Sequence, residues 1–208
     1  MCERLFTAWR KRCIRPAYRA LFDRDDGQIV SIDCETTSLD VKQAELLAIA
    51  AVKIDGRRIA ASTAFQAIVQ PGSAPGSDSV RIHGLRPADV HGGEAPERAL
   101  RALLDFIGGR TLLGYYLEYD VAVLNKYLKP LLGAALPNRK RELSARYHDW
   151  RQRLYPGSHI DLRWESMIRR LGIPALPRHD AMNDAMTVAM MHLALEERLR
   201  ATGAGARF

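Results

Sequence analysis

The sequence is short of cysteine and lysine and holds no long apolar run, and each shortage narrows what the chain can be. Three cysteines, Cys2, Cys13 and Cys34, form no C-x-x-C pair, and an odd number cannot pair completely within one chain. A disulfide-stapled secreted fold is excluded, and a reducing cytoplasm is the expected location. No stretch approaches the ~18–20 apolar residues of a membrane-spanning helix. Met1 to Phe22 is too charged to hold the apolar centre of a secretory signal. There is no internal repeat and no low-complexity tract, which excludes repeat architectures. Lysine supplies only 6 of the 31 basic residues and arginine 25; such a bias reflects genomic base composition as readily as phosphate binding.

The rest is ordinary: 208 residues, 47% apolar and 26% charged, suit one domain with a sizeable core. Of the net charge of +7, residues 1–22 carry six basic side chains against one acidic, leaving +2 for the body. A nearly neutral body argues against a broad duplex-gripping surface. The chain divides into a basic leader (1–22), a domain (23–200) and a short tail (201–208). Leu5, Phe6, Trp9 and Cys13 fall near one helical face of the leader, among Arg10, Lys11, Arg12, Arg15 and Arg19. Such a segment can dock a partner, touch nucleic acid or a membrane surface, or pack on the domain.

Periodicity gives the elements. Residues 28–32 read as a short buried strand, 46–54 as a second, and Asp55-Gly56 as a hairpin turn into a third, antiparallel strand from Arg58 to Val69. Residues 71–77 are a loop by composition. Ala95 to Ile107 carries Leu100, Leu103, Leu104 and Ile107 on one helical face. Thr111 to Gly114 is a fourth strand, and a helix after Asp120 runs to Pro130. A basic helix from Arg139 to Leu154 aligns Leu143, Tyr147, Trp150 and Leu154. His159 to Leu162 reads as a fifth strand, followed by a helix to Leu171 and a last helix from about Asp180 to Leu199. Strands first, then alternation, predict an α/β fold: a mixed sheet flanked by helices on both faces.

Four acids and a histidine carry the chemistry. Asp33 and Glu35 stand two apart at the end of an apolar strand, so their side chains share a face, with Cys34 on the other as a small buried hydrophobe. Two like charges ~4 Å apart repel by about 4 kcal/mol at an effective dielectric of 20. Adding Asp120 and Asp184 multiplies that cost, and metal cations are the natural compensation. An all-oxygen set favours Mg²⁺ or Mn²⁺ over Zn²⁺. Taken singly, Asp120 fits a first-turn helix acid, Asp184 a solvated helical acid, and His179 a loop histidine. Five residues separate His179 from Asp184, ~140° on one helix. Pro174 and Pro177 instead place His179 on the incoming loop, with Asp180 as N-cap.

As an ordered set these residues resemble the DEDDh exonuclease family, whose members include the proofreading subunit of bacterial DNA polymerase III. The first motif is Asp33-Cys34-Glu35-Thr36-Thr37, the last His179 with four residues before Asp184, and Val80 to Leu85 is similar to the family's Ile-His-Gly segment. The resemblance covers about residues 28–196. It implies a ribonuclease-H-like fold with a five-stranded mixed sheet, and two Mg²⁺ or Mn²⁺ ions held by Asp33, Glu35, Asp120 and Asp184. His179 is then the general base toward the attacking water, Thr36 and Thr37 line the pocket of the 3′-terminal nucleotide, and His83 approaches the strand. One departure stands out: many relatives carry His-Asn after the fourth strand, where this chain has Tyr115-Tyr116. Tyr116 is placed to stack on a base or to pack on neighbouring loop residues.

The function these residues imply is a 3′→5′ exonuclease acting on single-stranded DNA or RNA ends, in DNA repair or replication. The short tail points to a stand-alone enzyme. Two other readings stay open: a binding or scaffold domain with a relict site, and a two-metal nucleotide phosphatase.

Overall fold

The apolar run Ile29-Val30-Ser31-Ile32 opens the central strand of the sheet, which is longer than its apolar part: β1 spans Ile29–Thr36 and carries both motif acids within it. The protein is described by a computed structural model over residues 11, 13–23 and 26–201. β2 (Leu46–Asp55) lies antiparallel to β1, with Asp33 opposite Ala50 and Glu35 opposite Ala48. Gly56, at φ 56°, makes the turn into β3 (Arg58–Ile59). β4 (Phe65–Ile68) pairs with the other half of β2. On the far side of β1, β5 (Thr111–Gly114) runs parallel to it, and β6 (Lys140–Glu142) runs parallel to β5.

The mixed sheet flanked by helices is as expected, but it has six strands among the described residues where five are predicted. The stretch from Arg58 to Val69 is broken into β3 and β4 by a 3₁₀ turn at Ala61–Thr63. The predicted strand at His159–Leu162 is not in the sheet. Ile160 and Leu162 pack against the helices, and the Asp161 carboxylate accepts the Arg163 N–H (3.0 Å), turning the chain toward the next helix. The parallel edge position is taken by Lys140–Glu142, which the sequence reading assigned to a helix. An edge strand accepts charged side chains, so these residues carry no apolar alternation to reveal them.

Seven α-helices follow among the described residues: α1 (Ser77–His83), α2 (Pro87–His91), α3 (Pro96–Ile107), α4 (Leu117–Leu132), α5 (Leu143–Leu154), α6 (Trp164–Leu171) and α7 (Ala181–Ala201). The segment resembling the Ile-His-Gly motif is therefore helical and ends on Gly84 at φ 74°. α4 continues through Pro130, which lies in its last turn, to Gly133 at φ 82°. In α5, Leu143, Tyr147 and Trp150 are buried while Leu154, at the helix end, is exposed. Most of the leader, residues 1–10 and 12, lies outside the described residues, as do residues 202–208 of the tail. Near the leader's end, Ile14 is buried and the Arg15 N–H donates to the Leu132 carbonyl (2.7 Å).

Two apolar layers sandwich the sheet. Ile32, Ile49, Leu103, Ile107 and Leu124 join the β1–β2 face to α3 and α4. Ile54, Leu113, Met167, Val188 and Leu195 join the other face to α5, α6 and α7. Alternation along β1 sends Val30, Ile32 and Cys34 to the first layer and Ser31 toward α7, where its hydroxyl donates to the Ala185 carbonyl (2.8 Å). Asp33 and Glu35 share the face of Ser31, so β1 aims them at the start of α7.

Leu103, 0% exposed between sheet and helices, tests this packing. Leu103→Ala is expected to cost about 2–5 kcal/mol in urea unfolding; a loss under ~1 kcal/mol would mean that α3 does not pack on the sheet as described.

Candidate active site

Oxygens of Asp33, Glu35 and Asp184 all lie within 4.8 Å of one another. β1 supplies the first two by its two-residue repeat; α7 supplies the third from its first turn. Asp180 precedes α7 and caps it: its carboxylate accepts the Asn183 N–H (2.9 Å) and its carbonyl the Asp184 N–H (2.9 Å). His179 adopts φ 61°, the left-handed region, and its own N–H donates to the Asp184 carboxylate (3.2 Å). The cap and the left-handed turn bring His179 and Asp184 to one cleft, which a continuous helix would not do.

Asp120, in the first turn of α4, is buried and accepts the backbone N–H of Cys34 (3.1 Å). Its place follows from the sheet. β5 stops pairing with β1 at Leu113–Ser31, so the strand N–H of Cys34 loses its ladder partner and the Asp120 carboxylate supplies one. Asp120 thus adjoins the other acids through β1 without belonging to the group whose oxygens converge within 4.8 Å.

Burial and repulsion act together on these acids. Removal from water, then the charges of Asp120, Asp184 and Glu35, push the Asp33 carboxyl well above its ordinary range. Burial, then Asp184 and Asp180, push Glu35 up to about 7. Burial pushes Asp120 up to about 8 against the Cys34 N–H, and raises Asp184 against the His179 N–H and Arg178. The Cys34 thiol is also pushed well up, by burial and by the neighbouring acids, so it stays protonated and inert.

The acids floor a cleft of about 1170 Å³ that also receives Thr36, Thr37, His83, Tyr116 and His179. The structure thus brings every site residue predicted from the sequence to one cavity. The Thr36 hydroxyl meets the Tyr119 hydroxyl (2.6 Å), and that of Thr37 accepts the Glu45 N–H (2.9 Å). His83 Nδ1 accepts the Leu85 N–H (3.0 Å), leaving Nε2 buried with no partner among the described residues. Burial, then the proximity of His179, lowers its pKa. Tyr116 has φ 57° and is 64% exposed. Tyr115 sets its ring edge-on to Trp164 (5.1 Å) and donates its hydroxyl hydrogen to the Leu162 carbonyl (3.0 Å).

Two residues of this architecture escaped the sequence reading. Glu142, on β6, accepts the N–H groups of Tyr116 (3.1 Å) and Leu117 (2.9 Å), capping α4 from outside, and that of Ser144 (3.1 Å), capping α5. Arg178 stands over the Trp164 ring (4.8 Å), pairs with Glu165 (3.2 Å) and sets a positive charge against Asp33, Glu35 and Asp184. Its place next to His179 is the only sequence signal it had.

Residues 30–191 match the family model described as Exonuclease. The chain belongs to the exonuclease family. The DNA polymerase III subunit epsilon of Aquifex aeolicus is 32% identical over 113 residues, 54% of this chain and 55% of that protein; the chain thus spans about half the length of that relative. Among solved structures, E. coli exonuclease I in complex with a dT13 oligonucleotide superposes with TM-score 0.71 at 17% identity, covering 85% of this exonuclease-family chain and 42% of that one. Exonuclease X in complex with 5′ overhanging duplex DNA superposes with TM-score 0.62 at 19% identity, covering 84% and 93%. At these identities the two structures establish a shared fold, the ribonuclease-H-like sheet expected from the sequence.

The carboxylate set fits divalent metal ions: the donors are all oxygen, they converge, and Arg178 offsets only part of their charge. A pH signature follows in EDTA. Acids whose folded pKa lies above the unfolded value, near 4, contribute stability that is fully present below the unfolded pKa. That stability is lost as pH rises through about 7 for Glu35 and about 8 for Asp120. Thermal melts in EDTA should therefore show stability falling from pH 5 to 8.5, by several kcal/mol, with Mn²⁺ reversing the fall. A profile flat over this range and insensitive to Mn²⁺ would contradict the arrangement.

Proposed function

We propose that this chain is a metal-dependent 3′→5′ exonuclease that releases nucleoside 5′-monophosphates from single-stranded DNA or RNA ends. The observation that carries the reading is the convergence of Asp33, Glu35 and Asp184 within 4.8 Å on the floor of a cleft that also holds His179. Asp33, Glu35, Asp120 and Asp184 would hold two Mg²⁺ or Mn²⁺ ions, which when bound supply positive charge to the attacking and leaving oxygens of an in-line displacement. His179, partly exposed in the cleft and fixed by its backbone bond to Asp184, takes the proton of the attacking water as general base. Thr36 and Thr37 border the terminal nucleotide. His83 lines the cleft beside the strand, its tautomer set by the Leu85 N–H at Nδ1. Tyr116 offers an exposed ring for stacking.

The catalytic unit is assigned to residues 23–200, with 1–22 as leader and 201–208 as tail. A role in replication or repair accords with relatives named as DNA polymerase III subunits, and the cytoplasm is the proposed location.

The test is Mn²⁺-dependent release of mononucleotides from 3′-labelled single strands of DNA and RNA. Asp33→Asn and Asp184→Asn should each abolish release while the fold is retained. A variant keeping near-normal turnover would remove that residue from the metal site. Release of inorganic phosphate from free nucleotides, with strands left intact, would replace the exonuclease by a phosphatase; strand binding without any turnover would leave a relict site.

His179→Ala should lower kcat by about 10²–10⁴-fold with Mn²⁺ affinity nearly unchanged. Equal turnover in the wild type and the variant would assign the proton to another base.

A further inference from the structure

The cleft does not end at the carboxylates. A cavity of about 470 Å³ shares Tyr116 and Arg163 with it, and a further cavity of about 540 Å³ shares His159, Ile160 and Asp161 with the second. Neighbours by these shared residues, the three hollows lie in a row that we read as a track, from the acidic cleft past the turn before α4 to the residues of α5 and α6.

The far hollow is strongly basic. Arg151 reaches it from α5, and Arg169 and Arg170 from the last turn of α6. Asp161 also lines it, but its carboxylate is already engaged by Arg163 (2.7 and 2.9 Å) and by the Ser166 hydroxyl (2.6 Å). Those bonds hold its carboxyl well below the usual range. The guanidinium of Arg151 lies over the Tyr155 ring at 4.5 Å, and Arg151, Arg169 and Arg170 make no ion pair among the described residues. Arginines in a last helical turn complement the helix dipole. That role does not account for a third arginine brought to the same hollow from another helix.

We propose that this arginine-lined hollow is a binding subsite for backbone phosphates of a single nucleic-acid strand whose 3′ end lies in the acidic cleft. The inference rests on the exonuclease reading for the polarity of the strand. Guanidinium groups match phosphate oxygens in bidentate geometry. Tyr116, exposed at the junction of the first two hollows, offers a stacking face for an unpaired base between the two ends of the track. The acids handle the terminal phosphodiester, and the distant arginines grip the strand upstream of it. Affinity then depends on strand length, although the body of the chain is close to neutral.

The experiment compares the wild type with the double variant Arg169→Gln/Arg170→Gln. Both side chains are exposed, and matched thermal melts confirm that the fold is intact. Binding of fluorescein-labelled 20-nucleotide DNA and RNA strands is measured by anisotropy in EDTA, and turnover of the same strands and of a trinucleotide is measured in Mn²⁺. The variant should raise Kd for the 20-mer about 10-fold or more. It should also flatten the slope of log Kd against log salt by about 1.4, from two phosphate contacts at ~0.7 each. KM for the 20-mer rises with kcat unchanged, and trinucleotide kinetics stay as in the wild type. Loss confined to DNA or to RNA names the strand the hollow prefers. Unchanged Kd and salt slope for both strands would overturn the subsite, as would equal weakening of the trinucleotide. If the variant loses strand binding while neither protein releases nucleotides, the exonuclease reading fails and the subsite stands; if the wild type digests strands and the variant binds them equally well, the subsite fails and the exonuclease stands.

Discussion

Like charges held together against their repulsion are the constraint on which the rest of this fold turns. β1 drives two carboxylates to one face, and α4 and α7 bring two more beside them. Each close pair costs about 4 kcal/mol at an effective dielectric of 20. The fold offsets part of this with fixed donors: the Cys34 N–H for Asp120, the His179 N–H for Asp184, and the Arg178 guanidinium for Asp33, Glu35 and Asp184. What is left is a demand for positive charge and oxygen-loving coordination. The phosphodiester hydrolysis proposed for this site would use both.

Backbone strain gathers around the same cleft. Among the described residues, the non-glycine positions with positive φ are Tyr116 and His179, each at a cost on the order of 1–3 kcal/mol. Both are over-determined by their surroundings. The carboxylate of Glu142 holds the amides of Tyr116 and Leu117, and the cap built by Asp180 fixes the turn that carries His179. β6 therefore matters to the site although it is a short, charged edge strand: by placing Glu142 it fixes the start of α4, and with it Asp120.

The parts of this arrangement that depend on local periodicity were legible in the sequence. Alternation along β1 put Asp33 and Glu35 on one face, the 3.6-residue repeat gave the buried face of α3, and two prolines kept His179 off the helix that carries Asp184. The parts that depend on contacts between distant residues were not. Lys140–Glu142 has no apolar alternation, so its strand pairing with Thr111–Gly114 was hidden. Conversely, Ile160 and Leu162 alternate like a strand but bury themselves against helices. The capping role of Glu142 joins residues about 25 positions apart, and no local pattern announces it. Arg178 has no local pattern to mark it, and its role comes from Trp164 and the acids that the fold sets around it.

The central claim, that the converging carboxylates exist to hold divalent cations, is tested most directly by calorimetric titration of the purified chain with Mn²⁺ near pH 7. It should be run in two buffers of different ionisation enthalpy. The account predicts saturable binding of two ions, with protons released as Glu35 and Asp120 give up the charge state that burial imposes on them, and with binding lost in Asp33→Asn. Absence of saturable heat, or a titration unchanged by Asp33→Asn, would contradict it.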